Sequence, residues 1–124
     1  MIHLDTSVLV DALTGPRRSA PKLRDAIERG ERIQMSCLVL YEWLRGPRTP
    51  AQLADQESLF PRTSAVPFGS AEAARAARLY GQVARARGRE IDLAIAASAI
   101  EHNAALWTLN RADFSDVPSL RLAD

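Results

Sequence analysis

Three features of this 124-residue sequence predict a three-layer α/β sandwich with a mostly parallel central sheet. Short apolar strand candidates alternate with helix candidates from one end of the chain to the other. Leu106-Trp107-Thr108-Leu109 is the kind of apolar run that parallel sheets bury on both faces. The stretch from Asp92 to Ile100 is too apolar for a helix with a wet face, so it belongs in a core that the other elements enclose. A chain of this length buries one substantial core, and residues 1–124 are read as a single domain.

Ile2-His3-Leu4 is the first strand, and Asp5-Thr6-Ser7 supplies N-cap chemistry for a helix over Val8–Leu13 that stops before Gly15-Pro16. A helix over about Ala20–Arg29 ends at Gly30 and leads into a strand at Arg32–Met35. Ser36 caps a helix over about Cys37–Arg45, with Leu40, Trp43 and Leu44 on one apolar stripe and Glu42 beside it. Thr49-Pro50 opens a helix over about Ala51–Phe60, and a short strand follows near Ala65-Val66. Ser70 caps a long Ala- and Arg-rich helix reaching about Ala86, which Gly88 ends. The apolar helix from Ile91 carries Asp92 in its first turn, where the helix dipole favours a carboxylate. The Leu106–Leu109 strand runs into the turn Asn110-Arg111-Ala112-Asp113-Phe114, and a last short strand is expected near Leu120-Arg121-Leu122.

Composition narrows the function classes. With 47% apolar and 25% charged residues and no long apolar segment, the chain reads as soluble, and without an export signal its expected compartment is the cytoplasm. Cys37 is the only cysteine, which excludes an internal disulfide and a cysteine-rich metal site; it reads as a small buried hydrophobe. The net charge of +1 hides an asymmetry: residues 62–89 carry six Arg against one Glu, and residues 90–124 carry two Arg against six acids. A basic stretch before an acidic one suits a protein that holds phosphates and metal ions.

Ligands of open parallel sheets bind beyond the carboxyl ends of the strands. Asp5 and Asp113 follow strands directly, and Glu42 and Asp92 lie in helices entered from that edge, so four carboxylates converge on one cleft. Like charges raise one another's pKa and call for a cation. Oxygen-only ligation, with no Cys/His set at zinc spacing, points to Mg²⁺ or Mn²⁺. Such an ion activates water against a phosphodiester. Thr6, Ser7 and Asn110 are short polar groups at the same edge, suited to orienting a water or a phosphate oxygen.

The stretches Leu4–Val10, Ser36 to Tyr41-Glu42, Asp92–Ala99 and Thr108–Phe114 resemble PIN-domain ribonucleases, above all the VapC-type toxins of toxin–antitoxin pairs, in order and spacing across nearly the whole chain. The resemblance implies a PIN fold, Mg²⁺- or Mn²⁺-dependent RNA cleavage, homodimerisation and inhibition by a cognate antitoxin. By position it assigns Asp5, Glu42, Asp92 and Asp113 to the acidic quartet and Thr6 and Asn110 to accessory polar positions. Asp113 is the member whose direct ligation is least fixed, and Glu90 is a further acid that reads as a solvated loop charge.

Other residues read as structural. His3 lies inside a strand and His102 at a helix C-terminus, Trp43 and Trp107 lie on core stretches, and Asp11 and Asp116 are solvated acids. Arg75, Arg78, Arg85, Arg87 and Arg89 divide between the wet face of a helix and contact with RNA phosphates. The alternative to a nuclease is a PIN-like module that binds RNA or protein without cutting, against which all four acids speak. A phosphotransferase with Asp5 as nucleophile is disfavoured, because Ser7 stands where such enzymes carry a second acid and no Gly-rich phosphate loop with Lys is present.

Overall fold

The computed structural model describes residues 1–124. Strand β1 (Ile2–Leu4) lies between β2 (Ile33–Gln34) and β3 (Ala105–Trp107), and both pairings are parallel. The register sets Ile2 against Ile33 and Ala105, and Leu4 against Trp107. Parallel neighbours need crossovers, and helices supply them. Single bridges widen the sheet at both edges, from Ser36 to Val66 beyond β2 and from Leu106 to Leu122 beyond β3. The strands expected near Ala65-Val66 and Leu120–Leu122 are these one-residue pairings.

The helices are α1 (Thr6–Leu13), α2 (Ala20–Glu28), α3 (Cys37–Arg45), α4 (Pro50–Leu59), α5 (Ser70–Gln82) and α6 (Glu90–Glu101). Ser36 Oγ accepts the Val39 N–H at 3.3 Å and starts α3, while Thr49 and Gln52 form a reciprocal capping box on α4. Gly30 takes φ +84°, the left-handed turn that lets the chain leave α2 for β2. Helix α6 is buried continuously from Leu93 to Ala99 and packs along α5, and Leu4, Leu9, Trp43, Leu93, Ile95 and Leu106 share one core. Each such side chain contributes roughly 1.5–3 kcal/mol by leaving water.

Four local expectations are corrected. Helix α5 ends at Gln82, not near Ala86, because Val83 turns extended and Arg85 takes φ +56°. That turn buries Ala86 and half-buries Val83 against the core, a gain that continued helix would forgo. Ser70 is the first helical residue rather than the cap; Gly69 holds the cap position with no side-chain bond. Cys37 is exposed, since it shares the outer face of α3 with Tyr41 and Leu44 while Val39 and Trp43 point inward. The stripe of Leu40, Trp43 and Leu44 therefore divides: Trp43 is buried, Leu40 half-buried and Leu44 exposed.

Candidate active site

Asp5 leaves β1 with its N–H bonded to the Trp107 carbonyl at 2.9 Å, one step beyond the last paired residues. It holds the N-cap position of α1, yet its carboxylate caps nothing. Oδ2 instead accepts Ser7 Oγ at 2.8 Å and Thr108 Oγ1 at 2.7 Å. Each hydroxyl also accepts a backbone N–H, Ser7 from Leu109 at 3.1 Å and Thr108 from Asn110 at 3.0 Å. With those lone pairs occupied, each hydroxyl proton turns to Asp5. The carboxylate is only 4% exposed, and Oδ1 receives no hydrogen bond from the protein.

Glu42 enters from the second turn of α3. Thr6 Oγ1 donates to its Oε1 at 2.6 Å, and Arg45 Nη2 lies 3.4 Å from Oε2. Asp92, in the first turn of α6, is half-buried, and its pKa rises to about 6, first through burial and then through the charges of Asp5, Asp113 and Glu42, with Arg89 pulling the other way. Asp92 thus stands close enough to feel the charges of the other three acids. Asp5, Glu42 and Asp92, with Thr6, Ser7 and Asn110, line one cleft of about 490 Å³. Asp113 does not line it; it sits exposed on a 3₁₀ turn, Arg111–Asp113, and acts on Asp92 by its charge. Glu90 turns away, both its oxygens accepting the Gly88 N–H at 2.7 and 2.9 Å.

Some participants were not singled out from the sequence. Thr108 follows Trp107, which the register pairs with Leu4, so it faces Asp5; a hydroxyl at the carboxyl end of the strand beside β1 was the available signal. Asp11 is a cleft residue whose Oδ2 accepts the Ser19 N–H at 2.8 Å, so it ties α1 to the start of α2 and is more than a solvated acid. Asp116 is exposed but paired with Arg89 at 2.6 Å, which holds its carboxyl below the usual range. Arg75 pairs with Glu101 at 2.8 Å. The histidines and tryptophans line no part of the cleft: Trp43 and Trp107 are buried, and His3 is buried with its ring 5.4 Å from that of His102.

The donors suit a hard divalent ion. Every polar side chain on the cleft offers oxygen except the Asn110 amide nitrogen, Asp5 keeps one oxygen free of hydrogen bonds from the protein, and burial followed by repulsion raises Asp92. No three His, Cys, Asp or Glu side chains converge tightly enough to enclose an ion as they stand. Mg²⁺ keeps several of its own waters and takes one or two carboxylates, so it does not require a closed cage of side chains.

An α/β chain whose parallel strand ends gather these carboxylates has the features of the PIN domain family; residues 2–120 match that family, and the chain belongs to it. Among individual relatives, Ribonuclease VapC19 of Mycobacterium tuberculosis is 37% identical over 124 residues, spanning 95% of each chain. Solved structures share the fold at lower identity. The DNA-bound VapBC of Salmonella typhimurium aligns with TM-score 0.78 at 20% identity, covering 99% of this chain and 96% of that one. VapBC2 of Rickettsia felis, bound to a promoter DNA fragment, aligns with TM-score 0.74 at 21% identity, covering 99% and 98%. No helix is long and apolar enough to cross a membrane.

Proposed function

We propose that the chain is a Mg²⁺- or Mn²⁺-dependent endoribonuclease, the toxin of a toxin–antitoxin pair, working in the cytoplasm as a homodimer. The observation that carries the reading is the cleft lined by Asp5, Glu42 and Asp92, in which the hydroxyls of Thr6, Ser7 and Thr108 fix the Glu42 and Asp5 carboxylates. The 37% identity to a named ribonuclease supports RNA as the substrate. A bound divalent ion supplies a Lewis acid for the scissile phosphate and a water of lowered pKa. Asp5, fixed by Ser7 and Thr108, would offer that ion its carboxylate. Glu42 on α3 or Asp92 on α6 would be the second carboxylate, and Asp113 would add charge from outside. Thr6 fixes the Glu42 carboxylate, and Asn110 at the rim orients a phosphate oxygen or a water.

The antitoxin binds beside Glu42. There α3 exposes Cys37, Tyr41 and Leu44 around a hollow of about 450 Å³ that Leu40 and Arg45 also line. An apolar helix or strap fills such a hollow, and a basic side chain reaching past Arg45 meets the acids. Solved structures of the same fold include a toxin–antitoxin complex from Klebsiella pneumoniae and a member of the VapBC family of toxin–antitoxin systems from Mycobacterium tuberculosis, which supports a partner of this kind.

The test incubates purified protein with total RNA in Mg²⁺ or in EDTA and maps the cut ends. Cleavage with Mg²⁺ that EDTA abolishes is expected; full cleavage after thorough chelation overturns the metal mechanism, and no cleavage with any divalent ion overturns the enzyme.

A further inference from the structure

The arginines between Arg62 and Arg89 do not share one role. Arg89 stands at the N-cap of α6, three residues before Asp92, and its own carbonyl accepts the Leu93 N–H at 2.9 Å. Its guanidinium reaches four oxygens: the Ala84 carbonyl at 3.1 Å, the Asp113 carbonyl at 2.9 Å, and Asp116 Oδ1 and Oδ2 at 2.6 and 3.0 Å. One side chain thus joins the loop after α5, the start of α6 and the turn that carries Asp113. The planar fork of arginine makes this possible, since its donors point in fixed directions and grip a carboxylate with two parallel bonds. Asp113 itself sits in a three-residue 3₁₀ turn and its carboxylate makes no hydrogen bond within the protein. Buried Phe114 anchors the turn from below, and the Arg89 bond fixes its carbonyl from the side.

We propose that Arg89, locked by Asp116, is a positioning residue that sets where the Asp113 carboxylate stands relative to Asp92. The proposal rests on the reading of the cleft as a divalent-cation site. It also removes Arg89 from the set of RNA contacts, because a phosphate would first have to displace Asp116. Asp116 has a second part: its negative charge offsets a guanidinium that stands near Asp92 and Asp113 and would otherwise repel a cation. A fair test therefore leaves the local charge unchanged.

Arg89→Met/Asp116→Asn meets that condition, and free Mn²⁺ is counted by electron paramagnetic resonance while the full-length protein is titrated. The expected loss of Mn²⁺ affinity is about fivefold, less than the roughly tenfold for a residue that orients a direct metal ligand, because Asp113 reaches the cleft by its charge and does not line it. Introduced into an Asp113→Asn background, the same pair of substitutions is expected to change affinity by less than about twofold, since the carboxylate it places is gone. Affinity of the double variant within about twofold of wild type, or an undiminished loss in the Asp113→Asn background, overturns the proposal. Wild-type protein that binds no Mn²⁺ overturns the cation reading, and the proposal with it. Should the double variant fail to fold, Arg89→Lys keeps the charge and a pair with Asp116 but loses the fork that also reaches the Asp113 carbonyl. It is expected to show the same dependence on Asp113, and its absence is equally decisive.

Discussion

Thr108 Oγ1 donates to Asp5 Oδ2 at 2.7 Å, across the boundary between the two strands that the register pairs at Leu4 and Trp107. The bond joins residues 103 positions apart in the chain, and both side chains are almost fully buried. Thr108→Val keeps the shape and deletes the donor, leaving a buried carboxylate with one hydroxyl in place of two. The expected cost is about 1–3 kcal/mol of stability, with cleavage reduced by roughly tenfold as Asp5 loses its fixed orientation. Melting curves beside an RNA cleavage assay check both; a variant that melts and cleaves like wild type would show that Ser7 alone is enough.

Arg89 and Arg75 are held in ion pairs, whereas Arg78, Arg85 and Arg87 are exposed and make none. Arg85 and Arg87 lie in the loop that leads into α6, and RNA phosphates are expected there. In an Asp5→Asn background that cannot cut, Arg85→Ala/Arg87→Ala is expected to weaken RNA binding and to lower the slope of log affinity against log salt by about 1.4, or about 0.7 for each lost phosphate contact on a single strand. Fluorescence anisotropy from 50 to 200 mM salt reads the slope. An unchanged slope would return both side chains to the role of a wet surface.

The outer face of α3 exposes Tyr41 and Leu44 next to Glu42, and Arg45 lies over the Tyr41 ring at 5.3 Å. If the antitoxin docks there, Tyr41→Ala/Leu44→Ala is expected to weaken the complex by at least about 2 kcal/mol, the scale of an interface hot spot. RNA cleavage by the free toxin is expected to persist. Calorimetry of the purified pair measures the first and the cleavage assay the second; an unaltered affinity places the antitoxin elsewhere.

How much of this was legible in the sequence follows the range of the interactions involved. Asp5, Glu42 and Asp92 were legible because strand–helix alternation and cap chemistry are local, and local order alone puts all three at one edge of a parallel sheet. The starts of α3 and α4 follow from Ser36 and from Thr49-Pro50 for the same reason. Thr108 was not singled out, since its partner is fixed by β1–β3 register and not by neighbours in the chain. Arg89 read as one more basic residue in a series because Asp116 lies 27 positions away. Cys37 was misplaced because helical spacing groups residues into faces without saying which face the core will cover.

Stability against pH provides the last prediction, through buried His3 and half-buried Asp92, which oppose each other. Burial, and then the charge of His102, lowers the His3 pKa from 6.5 to about 4. Between those values the unfolded chain holds a proton that the folded one lacks, so the His3 contribution rises with pH and is lost as pH falls from 6.5 through 4. Asp92 runs the other way. Its pKa is raised from 3.8 to about 6, so the folded chain holds the extra proton, and its contribution is full below 3.8 and is lost as pH rises through 6. The two windows overlap almost completely, and each shift approaches about 3 kcal/mol at its limit, with Asp92 discounted for its partial exposure. Wild-type stability in EDTA is therefore expected to vary less between pH 4 and 6 than either group alone would dictate. Asp92→Asn leaves the His3 slope uncovered, and its stability relative to wild type is expected to climb as pH rises through that window. His3→Phe, which keeps a neutral ring, leaves the Asp92 slope uncovered, and its stability relative to wild type is expected to fall. Mg²⁺ competes with the Asp92 proton, so millimolar Mg²⁺ is expected to stabilise the wild type at pH 7 by mass action and to do so much less for Asp92→Asn. Denaturant melts at half-unit pH steps, with EDTA and with Mg²⁺, measure all of these slopes. Parallel curves for wild type and Asp92→Asn would show that the carboxylates around Asp92 do not share a charged site.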